Sequence, residues 1–118
     1  MAVHNQLGKR GEIAAKEFLE NGDYEILDEN WCFGKAEVDL IAYKDKKIVF
    51  VEVKTRTSVT FGNPEDFVEE TKQDNVRKAA EEYIYLMNFQ GEIRFDIISV
   101  LFNKEGKFTL KHIEDAFW

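Results

Sequence analysis

At 118 residues, 44% hydrophobic and 14% aromatic, the chain is long enough to bury a core and too short to divide comfortably in two. One domain over 1–118 is expected, and a disordered tail is excluded. A formal net charge of −7 argues against a protein that coats nucleic acid by bulk attraction.

Cys32 is the single cysteine. It allows no internal disulfide and no cysteine-based zinc site, and reads as a small buried hydrophobe in a cytoplasmic protein. The opening MAVHNQLGKRGEIAAKEF has charges every few residues and no apolar core of signal-peptide length. No later stretch approaches the ~18 apolar residues of a membrane span, so no membrane partner is expected.

From Leu7 to Leu19 the residues Leu7, Ala14, Ala15, Phe18 and Leu19 fall at helical spacing, and Asn21-Gly22 supplies a stop. Tyr24 to Trp31 alternates apolar and polar residues and reads as a strand near a sheet edge. Ala36–Tyr43 and Lys47–Lys54 form a hairpin about a charged turn. Asn63-Pro64-Glu65-Asp66 signals a helix start, with Asn63 as cap. The helix it opens, or a second one continuing it, carries Val76, Ala79, Ala80, Tyr83, Ile84 and Met87 as an apolar stripe. Ile93–Phe102 and Phe108–Ile113 read as two further strands joined by a turn at Asn103–Gly106. The order αβββαββ predicts an α/β or α+β fold with a mixed central sheet.

The hairpin carries misplaced charges. Side chains alternate along a strand, so Glu37, Asp39 and Ile41 share one face, and Val38, Leu40 and Ala42 share the other. On its partner Ile48, Phe50, Glu52 and Lys54 share a face. A turn centred on Asp45-Lys46 sets Asp39 opposite Glu52 and Glu37 opposite Lys54. Like charges directly opposed are destabilising. They become sensible around a divalent cation, because Mg²⁺ takes oxygen ligands from one or two carboxylates and waters. Lys54, two residues on, would face whatever that ion binds. The competing reading is a wet sheet face, with Lys54 pairing Glu37; against it, Ile41, Ile48 and Phe50 make the same face half apolar.

No acid lies between Glu52 and Glu65, and that stretch holds Lys54 and Arg56 among hydroxyl residues. It is either a phosphate-facing loop or an ordinary polar connection. Lys72 lies one turn before Val76 and either snorkels from the core or reaches the site. Arg94 and Asp96 share a strand face and pair most simply with each other. His4 and His112 lie far from the hairpin, and Trp31 and Trp118 read as packing residues.

Asp39 on one strand and Glu52-Val53-Lys54 on the next resemble the PD-(D/E)xK motif of restriction-endonuclease-like nucleases. A longer match, through GKRGEIAAKEFLENGDYEILDENW, AEVDLIAYKDKKIVFVEVKTRT, FGNPEDFVEETKQDNVRKAAEEY and RFDIISV, is similar to the YraN-type family of small bacterial proteins, related to archaeal Holliday junction resolvases. The resemblance implies a metal-dependent endonuclease cutting DNA, with Mg²⁺ or Mn²⁺ held by Asp39, Glu52 and the Val53 carbonyl. Lys54 would orient or deprotonate the attacking water, and Glu12 would be an additional acid. Glu37 would be auxiliary. Lys54, Arg56 and Lys72 would face nucleic acid, and a homodimer would suit two cuts in a four-way junction. Ala36 replaces the family's usual glycine and Val38 the motif's proline; neither change removes a ligand. The alternatives are a non-cleaving module that binds nucleic acid or protein, and a scaffold domain whose charges are solvated.

Overall fold

The structure, a computed structural model, describes residues 3–57 and 70–117. Helix α1 (Val3–Asn21) precedes strands β1 (Glu25–Phe33), β2 (Ala36–Lys44) and β3 (Lys47–Arg56). Helix α2 (Glu70–Met87) then leads to β4 (Glu92–Phe102) and β5 (Phe108–Phe117). This is the expected order, and the strands form one sheet in the order β1-β2-β3-β4-β5. Neighbours are antiparallel except β3 and β4, which α2 joins as a parallel pair. The proposed start at Asn63-Pro64 lies outside the described residues.

Each helix covers one face of the sheet. Ala14, Ala15 and Leu19 of α1 pack with Leu40, Ala42, Val49, Val51, Ile98 and Val100. Val76, Ala79, Ala80 and Tyr83 of α2 pack with Ile41, Ile48, Phe50, Phe95 and Ile97. Burying both faces explains why the central strands read as nearly continuous apolar runs. Trp31 packs edge-on against Tyr83 at 5.2 Å between ring centroids, the packing role expected of it.

Helix α1 stops where Asn21-Gly22 signals it, but the left-handed residue there is Asp23, with φ 69°, and not the glycine. The Gly22 and Tyr24 amides return to the Phe18 and Leu19 carbonyls, and aspartate tolerates the left-handed region better than most residues. The β2–β3 turn is the expected two-residue one: Asp45 and Lys46 have φ of 51° and 65°, the paired positive values whose twist suits a hairpin.

Two expectations fail. Cys32 is exposed on β1, the edge strand among the described residues, its thiol 3.7 Å from Glu37 Oε2. Val38 packs with Ile41 on the α2 side and not with Leu40 and Ala42. Strict alternation along β2 therefore breaks at Asp39.

Candidate functional site

That break builds the site. The β2–β3 ladder runs from Lys44↔Lys47 to Leu40↔Val51 in the predicted register and ends one step short of the Asp39–Glu52 pair. There the Asp39 side chain replaces a backbone partner: its Oδ2 accepts the Val53 amide hydrogen at 2.8 Å. Both carboxylates are buried, Asp39 at 9% exposure and Glu52 at 2%.

Burial in such a setting disfavours the charged form. It raises the Asp39 carboxyl against the pull of the Val53 amide and Lys72. Glu52 is pushed up to about 8, first by burial and then by the Asp39 charge beside it. Lys72, from α2, sets its ammonium 3.3 Å from Glu52 Oε2. Burial works against that charge, yet Glu52, Asp39 and Glu37 together hold it above its ordinary value. Of the two readings of Lys72, the structure shows the one that reaches the carboxylates.

Glu52 Oε1 is buried with no hydrogen-bond partner among the described residues. Buried oxygens are normally satisfied, and this orphan oxygen beside a second carboxylate is one that a cation could partner. Two carboxylates and a backbone carbonyl suffice for Mg²⁺, which keeps several waters. Among the described residues no three His, Cys, Asp or Glu side chains form a group that could hold a metal ion. Lys54 and Arg56 alternate with Thr55 along β3 and share the side of Glu52. The Lys54 charge acts on both Asp39 and Glu52.

Glu12 reaches the cluster from α1. Burial, and next the Asp39 charge, raise its carboxyl, while the Asn30 side chain hydrogen-bonds it and works the other way. What brings α1 so close is Gly11: a Cβ there would lie 2.0 Å from Thr55 Oγ1. Sequence reasoning missed this contact, for which a glycine inside a helix was the only signal, and missed Asn30, for which there was none.

Away from the site, Asp96 is fully buried and accepts two hydrogen bonds from Arg94, at 2.8 Å each, and one from the Asp115 amide. His112 Nε2 lies 2.7 Å from its Oδ2. The Arg94–Asp96 pairing is the expected one; the histidine is an added partner. A groove of about 470 Å³ lined by Arg77, Ala80, Glu81, Ile93, Phe95 and Asp115 contains none of the site residues. No described helix is long and apolar enough to cross a membrane.

Among the described residues, two helices on a mixed five-stranded sheet, with buried carboxylates where its central hairpin parts, define an α+β protein compatible with a nuclease-like core. Residues 11–100, which span Glu12, Asp39, Glu52, Lys54 and Lys72, match the model of the uncharacterised protein family UPF0102, and the chain belongs to that family. This agrees with the YraN-type resemblance. A UPF0102 protein of Flavobacterium psychrophilum is 49% identical over all of this chain and 98% of its own length. Those of Christiangramia forsetii and Bacteroides fragilis are 45% and 44% identical, again over all of this chain and over 98% and 97% of theirs.

Proposed function

We propose that the chain is a metal-dependent endonuclease that hydrolyses DNA phosphodiester bonds, with branched or junction DNA as its substrate class. The observation that carries this reading is the unpartnered Glu52 Oε1, buried beside Asp39. A buried carboxylate pair is costly to a fold that gains nothing from it, and a divalent cation removes the cost.

Asp39 and Glu52, with the Val53 carbonyl, would hold Mg²⁺ or Mn²⁺, which when bound polarises a phosphoryl oxygen and lowers the pKa of a water. The Asp39–Val53 hydrogen bond fixes one carboxylate against the backbone of β3 and presets the site. Lys54, facing the same side, orients the attacking water and takes up its proton or steadies the charge growing on the phosphate. Arg56 and Lys72 supply local positive charge in an acidic chain, so DNA is held at the site and weakly elsewhere. Glu12 bounds the cluster on the α1 side. Symmetric cutting of a four-way junction would use two copies.

The test is a cleavage assay across single-stranded, duplex, flapped and four-way DNA with Mg²⁺ or Mn²⁺. Cutting of one structure by the parent and none by Lys54→Ala is expected. Binding without cutting by the parent would point instead to a non-cleaving recognition module.

A further inference from the structure

Lys72 sets its ammonium against Glu52, and it comes from a different element than the motif. Its ammonium lies on Oε2 while Oε1 of the same carboxylate stands unpaired. Glu37, Asp39 and Glu52 all act on it, so it sits where the negative potential of the cluster converges. Its side chain is 39% exposed, whereas that of Glu52 is 2% exposed. The lysine thus has one end in the cluster and open water behind it. A lysine ammonium is a compact charge on a flexible four-carbon stem, able to leave such a contact without disturbing the fold.

We propose that Lys72 is a tethered counter-ion, which neutralises the Asp39–Glu52 pair in the absence of a divalent cation and competes with that cation for it. This inference rests on the metal-dependent reading above. Like charges held a few ångströms apart near a protein surface repel strongly, so an ion entering beside Glu52 works against the ammonium until the lysine swings outward. Affinity for the ion is lowered, and in return the empty site never exposes a bare, dry pair of anions.

Mn²⁺ alone, titrated calorimetrically into the full-length chain at pH 8.5 without nucleic acid, tests the proposal. Lys72→Met should bind Mn²⁺ about tenfold more tightly than the parent, equivalent to ~1.4 kcal/mol. Lys78→Met, an exposed site on the same helix, makes the same change in net charge and should leave the affinity within about twofold. Lys72→Arg retains the cation, guards against a folding defect in the methionine variant, and should stay near the parent. Equal or weaker Mn²⁺ binding by Lys72→Met, with the parent binding normally, overturns the counter-ion role and leaves the metal reading standing. A tightening in Lys78→Met as large as in Lys72→Met also overturns it, since bulk charge would then be the cause. If neither parent nor Lys72→Met binds Mn²⁺, the metal reading falls and this inference with it.

Discussion

The Asp39 carboxylate accepts the Val53 amide hydrogen at 2.8 Å, where the β2–β3 ladder would otherwise continue. The same side chain is therefore both a strand terminator and a candidate ligand, and substitutions can separate the two roles.

Asp39→Asn keeps an oxygen for the Val53 amide and removes a charge from a crowded, buried pair. Its apo melting temperature should equal or exceed that of the parent, while the rise produced by Mn²⁺, which grows as RT ln(1 + [L]/Kd), should vanish. Asp39→Ala leaves the amide unpaired and should cost about 1–3 kcal/mol. Thermal melts with and without Mn²⁺ read both effects. A lower apo melting temperature for the asparagine variant, with metal changing neither protein, would return Asp39 to a simple ion-pairing role.

The pH dependence has opposite signs at two carboxylates. Glu52, raised from 4.5 to about 8 in the fold, binds more protons folded than unfolded between those values. Its contribution is complete below 4.5 and is lost as pH rises through about 8. Asp96 is burdened by burial, but its His112 and Arg94 hydrogen bonds outweigh that and lower it from 3.8. Its contribution is present above 3.8 and lost as pH falls through the folded value. Urea unfolding from pH 3 to 9 should show the metal-free protein losing stability at both ends, and Glu52→Gln should flatten the alkaline decline alone.

Gly11→Ala would ordinarily help a helix, by about 1 kcal/mol. Here the new Cβ meets Thr55 Oγ1 at 2.0 Å, and overpacking should destabilise by about 1–3 kcal/mol. Thr55→Ala removes the nearest atom and should recover part of that loss, giving a coupling energy in a double-mutant cycle by urea unfolding. Additive effects would mean that the helix moves aside freely.

Asp96→Ala strips Arg94 of its fully buried partner and leaves the Asp115 amide unpaired. A loss of about 3 kcal/mol is expected by chemical denaturation. Glu114 pairs with the same arginine, Nη1 to Oε1 at 3.0 Å, but its side chain is 60% exposed. Glu114→Ala should cost under ~1 kcal/mol.

Much of this arrangement was legible because hairpin register follows from turn position. Once the turn sat at Asp45-Lys46, the pairing from Lys44↔Lys47 to Leu40↔Val51 followed. What periodicity cannot encode is a side chain standing in for backbone: Asp39 accepts the Val53 amide where the alternation breaks, and Val38 lies on the other face. Cys32 was misread because composition says which residue types are usually buried and not where in the sheet a given residue falls. The reach of Lys72 and the Gly11–Thr55 approach depend on how helices dock, which no local pattern specifies.

The topology also orders assembly in time. Asp39 and Glu52 belong to a single hairpin, whereas Lys72 belongs to the helix linking the parallel strands β3 and β4. Hairpins close within ~1–10 μs, while parallel pairing across an intervening helix is non-local and slower. The two anions are therefore expected to meet while still hydrated, where water screens them. Drying comes with the docking of the crossover helix, the event that also delivers the lysine. Desolvation and neutralisation are thus a single step of folding, and no intermediate need hold a dry, uncompensated pair of charges.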